Sequence, residues 1–354
     1  MMLGYRRRRL LMSRLKRMSR WEFWPAWLFY IPVVVYIVGL TIRYGGLKFT
    51  AVNPGMDGSG FVGERKSETL HQLQSTCPQR VAKTCIVDVN QARQEQISQC
   101  QSFMQAHHLS FPIVLKPDVG QRGVDVSIID NERQLRAYFS SARLDTILQE
   151  YVAGVEFGLF YYRMPSESRG HILSLTHKCF PSVTGNGVDS LEKLILDHPR
   201  LHYMAHFLLH QHQKRLNWIP ALGETAEVVR LGNHCRGSLF LDGESYRSQL
   251  IERTLDDVSQ TLPGFFFGRY DIRAADIESL QKGQFKIIEL NGVTSESSNI
   301  YDPKNSLLSA YRTLFLQWRL AFEIGKQNIF RGHCGMSITQ LLGKVRKMNR
   351  ELKV

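Results

Sequence analysis

Three absences in this 354-residue chain narrow what it can be. Its six cysteines (Cys77, Cys85, Cys100, Cys179, Cys235 and Cys334) contain no Cys-x-x-Cys pair. That excludes a zinc ribbon or a disulfide scaffold and fits a reducing compartment. No Gly-x-x-x-x-Gly-Lys-[Ser/Thr] loop occurs, so a nucleotide would have to be held without the Walker pattern. No Ser-His-Asp or Cys-His arrangement stands out either, and there are no internal repeats or low-complexity tracts. A fourth absence is local: the first 20 residues hold eight bases and no acid, while the last 24 hold six bases and one acid. The formal net charge of +13 therefore sits at the ends, and the 310 residues between them balance at 31 bases and 31 acids. A nucleic-acid binder would carry its basic face on the folded domain, so no specific nucleic acid is expected. The composition, 43% hydrophobic and 22% charged, is that of a folded protein with ample core.

What is present begins with an apolar run. Residues 23–42 (FWPAWLFYIPVVVYIVGLTI) contain no charge, about the 20 residues needed to cross a hydrocarbon core. Trp21, Trp24, Trp27 and Tyr30 crowd its start and Tyr44 lies at its end, as interfacial aromatics would. The run is too long for a cleaved signal peptide. The sequence thus predicts a membrane segment over 21–45 behind a basic arm, 1–20, that the positive-inside rule places in the cytoplasm. Pro32 would kink that segment into a shallow or re-entrant anchor.

Residues 46–64 are rich in Gly, Asn, Pro and Ser and read as a linker from membrane to domain, within a linker region 46–80. Strands are expected in Val81–Val89, in a hairpin over Pro112–Asp130, in ILQEYV and EFGLFYYR joined by a Gly154 turn, in HILSLTHKCF, and in GFFFGRYDIR and QFKIIEL around a short helix. Helices are expected over Gln91–His107, Asn131–Arg143 with Asn131 as N-cap, and Ser306–Gln327. The alternation predicts an α+β (α/β) fold with antiparallel pairs.

Three signals carry chemistry. Lys116 ends a strand and is followed by Gly120 and Gly123, a charge and exposed amides suited to phosphate. In QEYVAGVEFG, Glu150 and Glu156 lie either side of a turn, where carboxylates can take an adenine amino group and ribose hydroxyls, with Tyr151 and Val152 as walls. Last, GRYDIR and KIIELNG place Asp271 eighteen residues before Glu289. Glu289 and Asn291, two apart on a strand, share a face, as do Arg269 and Asp271. Two carboxylates and an amide oxygen suit Mg²⁺, and an arginine beside them suits a transferring phosphoryl group.

In this order the residues resemble the ATP-grasp superfamily of carboxylate–amine or carboxylate–thiol ligases, from about Val81 to Gln327. The resemblance implies an ATP-grasp fold of two α+β subdomains clasping ATP over 81–330, preceded by a small α/β domain and the membrane helix and followed by a basic tail, 331–354. It implies Mg²⁺ or Mn²⁺ on Asp271, Glu289 and Asn291, and Arg269 on phosphate. ATP would lie on Lys83, Lys116, Gly120, Gly123, Glu150, Tyr151, Val152 and Glu156. Lys178, in a segment ending in a Gly-x-Gly turn, would approach the γ-phosphate. Arg230, Asn233, His234 and Arg236 would form the substrate- and phosphate-side loop, Arg236 with a catalytic role. Two departures stand out: Asp125 replaces the last glycine of the phosphate loop, and Asn186 replaces the usual aspartate of the Gly-x-Gly turn. The implied reaction is phosphorylation of a carboxylate to an acyl phosphate, displaced by an amine or thiol. The alternative is a catalytically weak or inactive nucleotide-binding module at the membrane.

Because such a site consumes ATP, the expectation is a membrane-anchored protein with its catalytic domain in the cytoplasm. Its partners would be small-molecule carboxylates and amines and anionic lipid at the basic ends, with an oligomer left open. His198, His202, His206 and His210 recur every fourth residue and read as a polar helix face rather than a metal site.

Overall fold

The computed structural model describes residues 2–61, 63–120, 124–230, 232 and 237–351. The chain divides into two compact units. The first comprises residues 1–34, 178–241 and 300–311, and the second 35–177, 242–299 and 312–354. The architecture is mixed α/β. Strands are β1 (Thr84–Val87), β2 (Ile113–Pro117), β3 (Ser127–Ile129), β4 (Thr146–Glu150), β5 (Val155–Tyr162), β6 (His171–Cys179), β7 (Ser182–Thr184), β8 (Thr225–Glu227), β9 (Leu239–Asp242), β10 (Phe267–Ala274) and β11 (Lys286–Asn291). Helices are α1 (Met2–Met18), α2 (Ala26–Phe29), α3 (Ile31–Tyr44), α4 (Lys66–Thr76), α5 (Arg93–Ala106), α6 (Glu132–Phe139), α7 (Leu191–Asp197), α8 (Ala205–Gln211), α9 (Gln249–Gln260), α10 (Ile277–Gln281), α11 (Leu307–Phe330) and α12 (Ile338–Glu351).

The second unit contains a four-stranded sheet of order β1-β4-β2-β3, antiparallel in every pair. Ile97 and Met104 of α5 and Leu135 and Phe139 of α6 bury one of its faces, made by Val87, Ile113, Leu115, Ile129 and Leu148. Asn131 caps α6, its side chain accepting from the Gln134 N–H, as the sequence predicts. A second sheet runs β11-β10-β5-β6-β9, and the boundary between the units falls within β6 and within β9. Tyr270, Ile272 and Ala274 of β10, Phe157, Leu159 and Tyr161 of β5, and Ile287 and Leu290 of β11 turn one face to a core shared with Ile251, Leu255 and Val258 of α9. Side chains alternate along a strand, so Arg269, Asp271 and Arg273 occupy the opposite face.

The strands β4 and β5, expected as neighbours about Gly154, belong to different sheets. Only residues 151–154 separate them. Gly154 has φ +109°, and a Cβ there would lie 2.1 Å from the Ala274 carbonyl oxygen, so glycine alone fits this crossing.

The membrane segment is a correction. Among the described residues no helix is long and apolar enough to cross a membrane, so the expected N-terminal membrane helix, and with it the membrane-anchored location, is withdrawn. The predicted segment 21–45 breaks into a 3-10 turn at Trp21–Phe23 and the helices α2 and α3. Pro25 and Pro32 each stand at the start of a helix, where a missing N–H costs nothing, so Pro32 begins α3 rather than kinking it. The 14 residues of α3 reach only about 21 Å at 1.5 Å per residue, against about 30 Å of hydrocarbon. Its apolar face is core: Leu40, with Tyr36, Ile37 and Tyr44, packs on Phe49, Phe267 and Phe322. Phe29 is buried against Trp21, Tyr301 and Tyr311. The basic arm is a helix folded onto the first unit, with Arg6 paired to Glu192 and Arg9 to Asp197.

Residues 46–64 also differ from their reading as a linker. Asn53, wholly buried, accepts from the Phe266 and Phe267 N–H groups at 2.9 Å and donates to the Phe267 carbonyl at 2.7 Å. Ser59 donates to the Thr50 carbonyl, and Val293 N–H to the Ser59 carbonyl. Gly60 (φ +70°) crosses Gly292 so closely that a Cβ would sit 2.6 Å from the Gly292 Cα. The stretch is a packed strap, and among the described residues of 46–80 no strand forms the expected small α/β domain. The histidine repeat is likewise not one helix face: it spans α7, a 3-10 turn at Leu201–Met204 and α8. His198 ends α7 and its Nδ1 accepts from two backbone N–H groups.

Replacing Asn53 by Ala strands three buried backbone groups, and should cost about 2–4 kcal/mol of unfolding free energy, measured by urea denaturation. A loss below about 1 kcal/mol would show that the strap is not locked by Asn53.

Candidate active site

The predicted magnesium residues meet on the polar face of β10 and β11. Asp271 and Glu289 are direct cross-strand partners, as are Arg269 and Asn291. Between Asp271 and Ile272 the register shifts, a β-bulge that leaves Ile288 as the extra residue. The bulge has two consequences. It puts Lys286 and Glu289, three apart and so on opposite faces of a regular strand, on the same side. It also leaves the Ile288 carbonyl free of the ladder, and it accepts from Lys116 Nζ (3.0 Å) and Gln149 Nε2 (3.0 Å). Lys116 and Gln149 lie on β2 and β4, so this carbonyl joins the two sheets.

Lys116 is buried and also donates to Gln149 Oε1 at 3.1 Å. Burial lowers its pKa to about 8, with nearby Lys66 pushing the same way against Glu289 and Asp271. Arg269 donates from Nε to Asp271 Oδ1 (2.9 Å), and from Nη1 to the Glu296 carbonyl and Ser298 Oγ. Burial works against its charge, yet Asp271, Glu289 and Glu296 leave its pKa raised. Gly158 borders this corner: a Cβ there would make ordinary contact, 3.4 Å from Arg269 Cδ and 3.5 Å from Asp271 Oδ1.

The strap and the start of α4 contribute two residues that sequence reasoning missed. Lys66 Nζ pairs with Glu289 Oε1 at 2.8 Å. Burial alone would raise the Glu289 pKa, but Lys66, Lys116 and Arg269 hold it well below the usual carboxylate range. Glu64 accepts from the Gly292 N–H. Burial and nearby Glu289, opposed by that N–H and by Lys66, raise its pKa to about 8. Glu64 ends the glycine-rich stretch read as a linker and Lys66 follows it; its close glycines were the one signal that could have found them.

A third missed residue is Arg273. It forks onto Glu156 Oε2 (3.1 and 3.0 Å), donates to the Val152 carbonyl and lies 5.3 Å from the Tyr151 ring centroid. It thereby ties together the crossing between the sheets, and the alternation that finds Arg269 and Asp271 also points to it. Glu150 accepts from Lys286 Nζ (2.6 Å) and from the Lys83 N–H (3.0 Å).

The structure therefore brings together Lys116, Glu150, Tyr151, Val152, Glu156, Arg269, Asp271, Glu289 and Asn291, all in the second unit. It does not bring the Lys83 ammonium to them: that group donates to the His107 carbonyl at the end of α5, where a helix terminus favours a cation. Gly120 follows β2 in the same unit, and Asp125 is exposed with φ +56°. Lys178 belongs to the first unit and lies buried 5.8 Å from the Phe240 ring centroid. Arg230, also there, is exposed and 3.6 Å from Glu227. In the Gly-x-Gly turn Asn186 Oδ1 accepts from the Val188 and Asp189 N–H groups. Gly123, Asn233, His234 and Arg236 lie outside the described residues.

Among the described residues no group of three or more His, Cys, Asp or Glu is placed to hold a metal ion. The candidate set is two carboxylates and an amide, hard oxygen donors of the kind Mg²⁺ takes. The buried Glu64 Oε1 has no hydrogen-bond partner, so an oxygen acceptor remains beside Glu289. The residues fit the ion.

No protein-family model matches the chain, and no curated protein matches it. Among solved structures it is similar to a bifunctional glutathione synthetase from Pasteurella multocida, with 14% identity and a TM-score of 0.37 over 74% of this chain and 36% of that one. It is also similar to the D-alanine–D-alanine ligase from Bacillus anthracis (9% identity, TM-score 0.41, 76% of this chain and 68% of that one) and to a D-cycloserine synthetase (16%, 0.40, 72% and 70%). The chain thus spans only about a third of the glutathione synthetase. Similarity this distant carries no conclusion about what the chain binds or joins.

A lysine whose folded pKa is depressed is a burden while both states are protonated, and the burden lifts as pH rises from the folded value towards the unfolded one. Unfolding free energy, compared with that of Lys116→Met, should therefore rise from about pH 8 towards pH 10.5. Parallel pH profiles from urea denaturation of the two proteins would contradict the depressed value.

Proposed function

We infer that the chain is an ATP- and Mg²⁺-dependent ligase of the ATP-grasp kind, joining a carboxylate to an amine or thiol through an acyl phosphate. The observation that carries this is the joint at the Ile288 carbonyl. Lys116, from one sheet, is held there beside the Asp271–Glu289–Asn291 face of the other, with Arg269 alongside.

In this reading a substrate carboxylate oxygen attacks the γ-phosphorus of ATP, and the bond to the β–γ bridging oxygen breaks, releasing ADP. The amine or thiol then attacks the acyl carbon. Phosphate leaves with the C–O electron pair, and the proton of the nucleophile passes to phosphate or solvent. Two anions must meet in the first step, so the work is charge neutralisation and alignment rather than side-chain nucleophilic attack. Bound Mg²⁺ would supply Lewis-acid neutralisation of the phosphates. Asp271, Glu289 and Asn291 hold that ion. Lys116 and Arg269 take phosphoryl oxygens, the planar Arg269 in the forked manner suited to them. Glu150, Tyr151 and Val152 line the adenine side and Glu156 the ribose side, the crossing held in shape by Arg273. Lys178, Arg230, Asn233, His234 and Arg236 keep the phosphate- and substrate-side roles that the resemblance implies.

A second reading, a nucleotide-binding module without turnover, is favoured by one observation: Asp271, Glu289, Glu150 and Glu156 are each paired with a cation of the chain itself. Turnover separates the two. Purified protein with MgATP and a panel of amino acids and short peptides should release ADP, and Asp271→Ala and Glu289→Ala should each lower that rate about a hundredfold or more. ATP binding with no ADP release across the panel would favour the module; release unaffected by either substitution would overturn the assignment of the site.

A further inference from the structure

The pair between Lys66 and Glu289 is built into the fold. Lys66 is the first residue of α4, and the loop after β2 fixes that helix end. Ser67 N–H donates to Asp118 Oδ1 (2.8 Å), Lys66 N–H to the Asp118 carbonyl (3.2 Å), and Arg65 pairs with Asp118 at 3.3 Å. Lys116 lies two residues before Asp118, near the end of β2. On the other side, Glu64 is pinned by the Gly292 N–H and Gly60 by its close crossing of Gly292. The ammonium is thus delivered to Glu289 Oε1 by two fixed ends of chain. Its side chain is 15% exposed and that of Glu289 23%, so water screens the pair only partly.

We propose that Lys66 is an internal counter-cation standing in the position of the divalent ion. Before nucleotide binds it holds Glu289 and keeps the ion out, and the ion enters only together with nucleotide phosphates, which draw the ammonium from Glu289 onto themselves. The physical argument is competition for one carboxylate. An ammonium and a dication on the same carboxylate repel each other strongly at low dielectric, and Lys116 and Arg269 already add two further positive charges beside Asp271 and Glu289. A bare dication would be a fourth cationic group in this corner. A polyphosphate reverses the balance, because its oxygens accept from Lys66 and the ion at once. Metal and nucleotide then bind with positive coupling, each raising the affinity for the other. Sequence reading had no access to this, since Lys66 lies outside the stretch that resembles a ligase.

The inference rests on the assignment of Asp271, Glu289 and Asn291 as the ion's ligands, and the test separates the two. Mn²⁺ binding is followed by electron paramagnetic resonance on the full chain, with and without the non-hydrolysable analogue AMP-PNP. The wild type should bind Mn²⁺ weakly alone and tightly with the analogue. Lys66→Met should bind Mn²⁺ alone about tenfold or more tighter than the wild type, Lys66→Arg should stay close to the wild type, and the gain should vanish in Lys66→Met/Glu289→Gln. Because Lys66→Met leaves Glu289 without its partner, its melting temperature should fall and be restored by Mn²⁺, which also shows that the variant is folded. Equal Mn²⁺ affinity of the wild type and Lys66→Met without nucleotide, with both still binding Mn²⁺ and AMP-PNP together, would overturn the role of Lys66 and leave the ligase reading standing. Failure of both to bind Mn²⁺ even with AMP-PNP would overturn the ligand assignment and the proposal with it.

Discussion

One backbone carbonyl, that of Ile288, is the constraint on which the second unit depends. A bulge in β11 removes it from its own ladder, and a buried carbonyl without a partner is costly. Lys116 and Gln149 reach it from the other sheet, so the repair of a local defect becomes the joint between two sheets. The same extra residue rotates Lys286 onto the face of Glu289 and Asn291. Without the bulge Lys286 could not reach Glu150, the sheets would lose their bond, and the ion-pair row from Glu156 to Glu289 would lose a member.

Charge in this site is arranged by pairs that differ in kind. Arg273 and Glu156, and Lys286 and Glu150, tie the four-residue crossing between the sheets and fix its shape. Arg269 with Asp271, and Lys66 with Glu289, hold carboxylates that a ligand would claim. Removing one partner of a buried pair is costly because it leaves the other uncompensated. Both kinds therefore stiffen the site, but only the second kind would be exchanged for a ligand that carries its own charge. The net +13 of the chain says little about this chemistry, since the excess lies at its two ends, and the N-terminal share is partly spent on ion pairs within the first unit.

Much of the site was legible because strand alternation is strict. GRYDIR and KIIELNG put Arg269, Asp271, Glu289 and Asn291 on one face, and the structure agrees. What alternation could not show is a register shift, so Lys286 escaped, nor which of two neighbouring strands changes sheet, so β4 and β5 were read as partners. Lys66 and Glu64 were hidden because glycines in NPGMDGSG signal equally a slack linker and a close backbone crossing; here Gly60 and Gly292 make it the latter. The apolar run misled for a related reason. Twenty uncharged residues satisfy the length for a membrane span, but two prolines restart the helix inside the run, and Phe29, Val33 and Leu40 are buried in protein while Trp27, Val35, Val38 and Ile42 stay exposed.

A ligase of this kind requires that the joined pair of sheets hold a metal–nucleotide complex. Calorimetric titration of MgATP into the purified full chain tests it. Saturable binding at one site is expected, weakened about tenfold or more by Lys116→Met and by Asp271→Asn while both variants remain folded. No heat of binding to the wild type, or equal affinity in all three proteins, would contradict it.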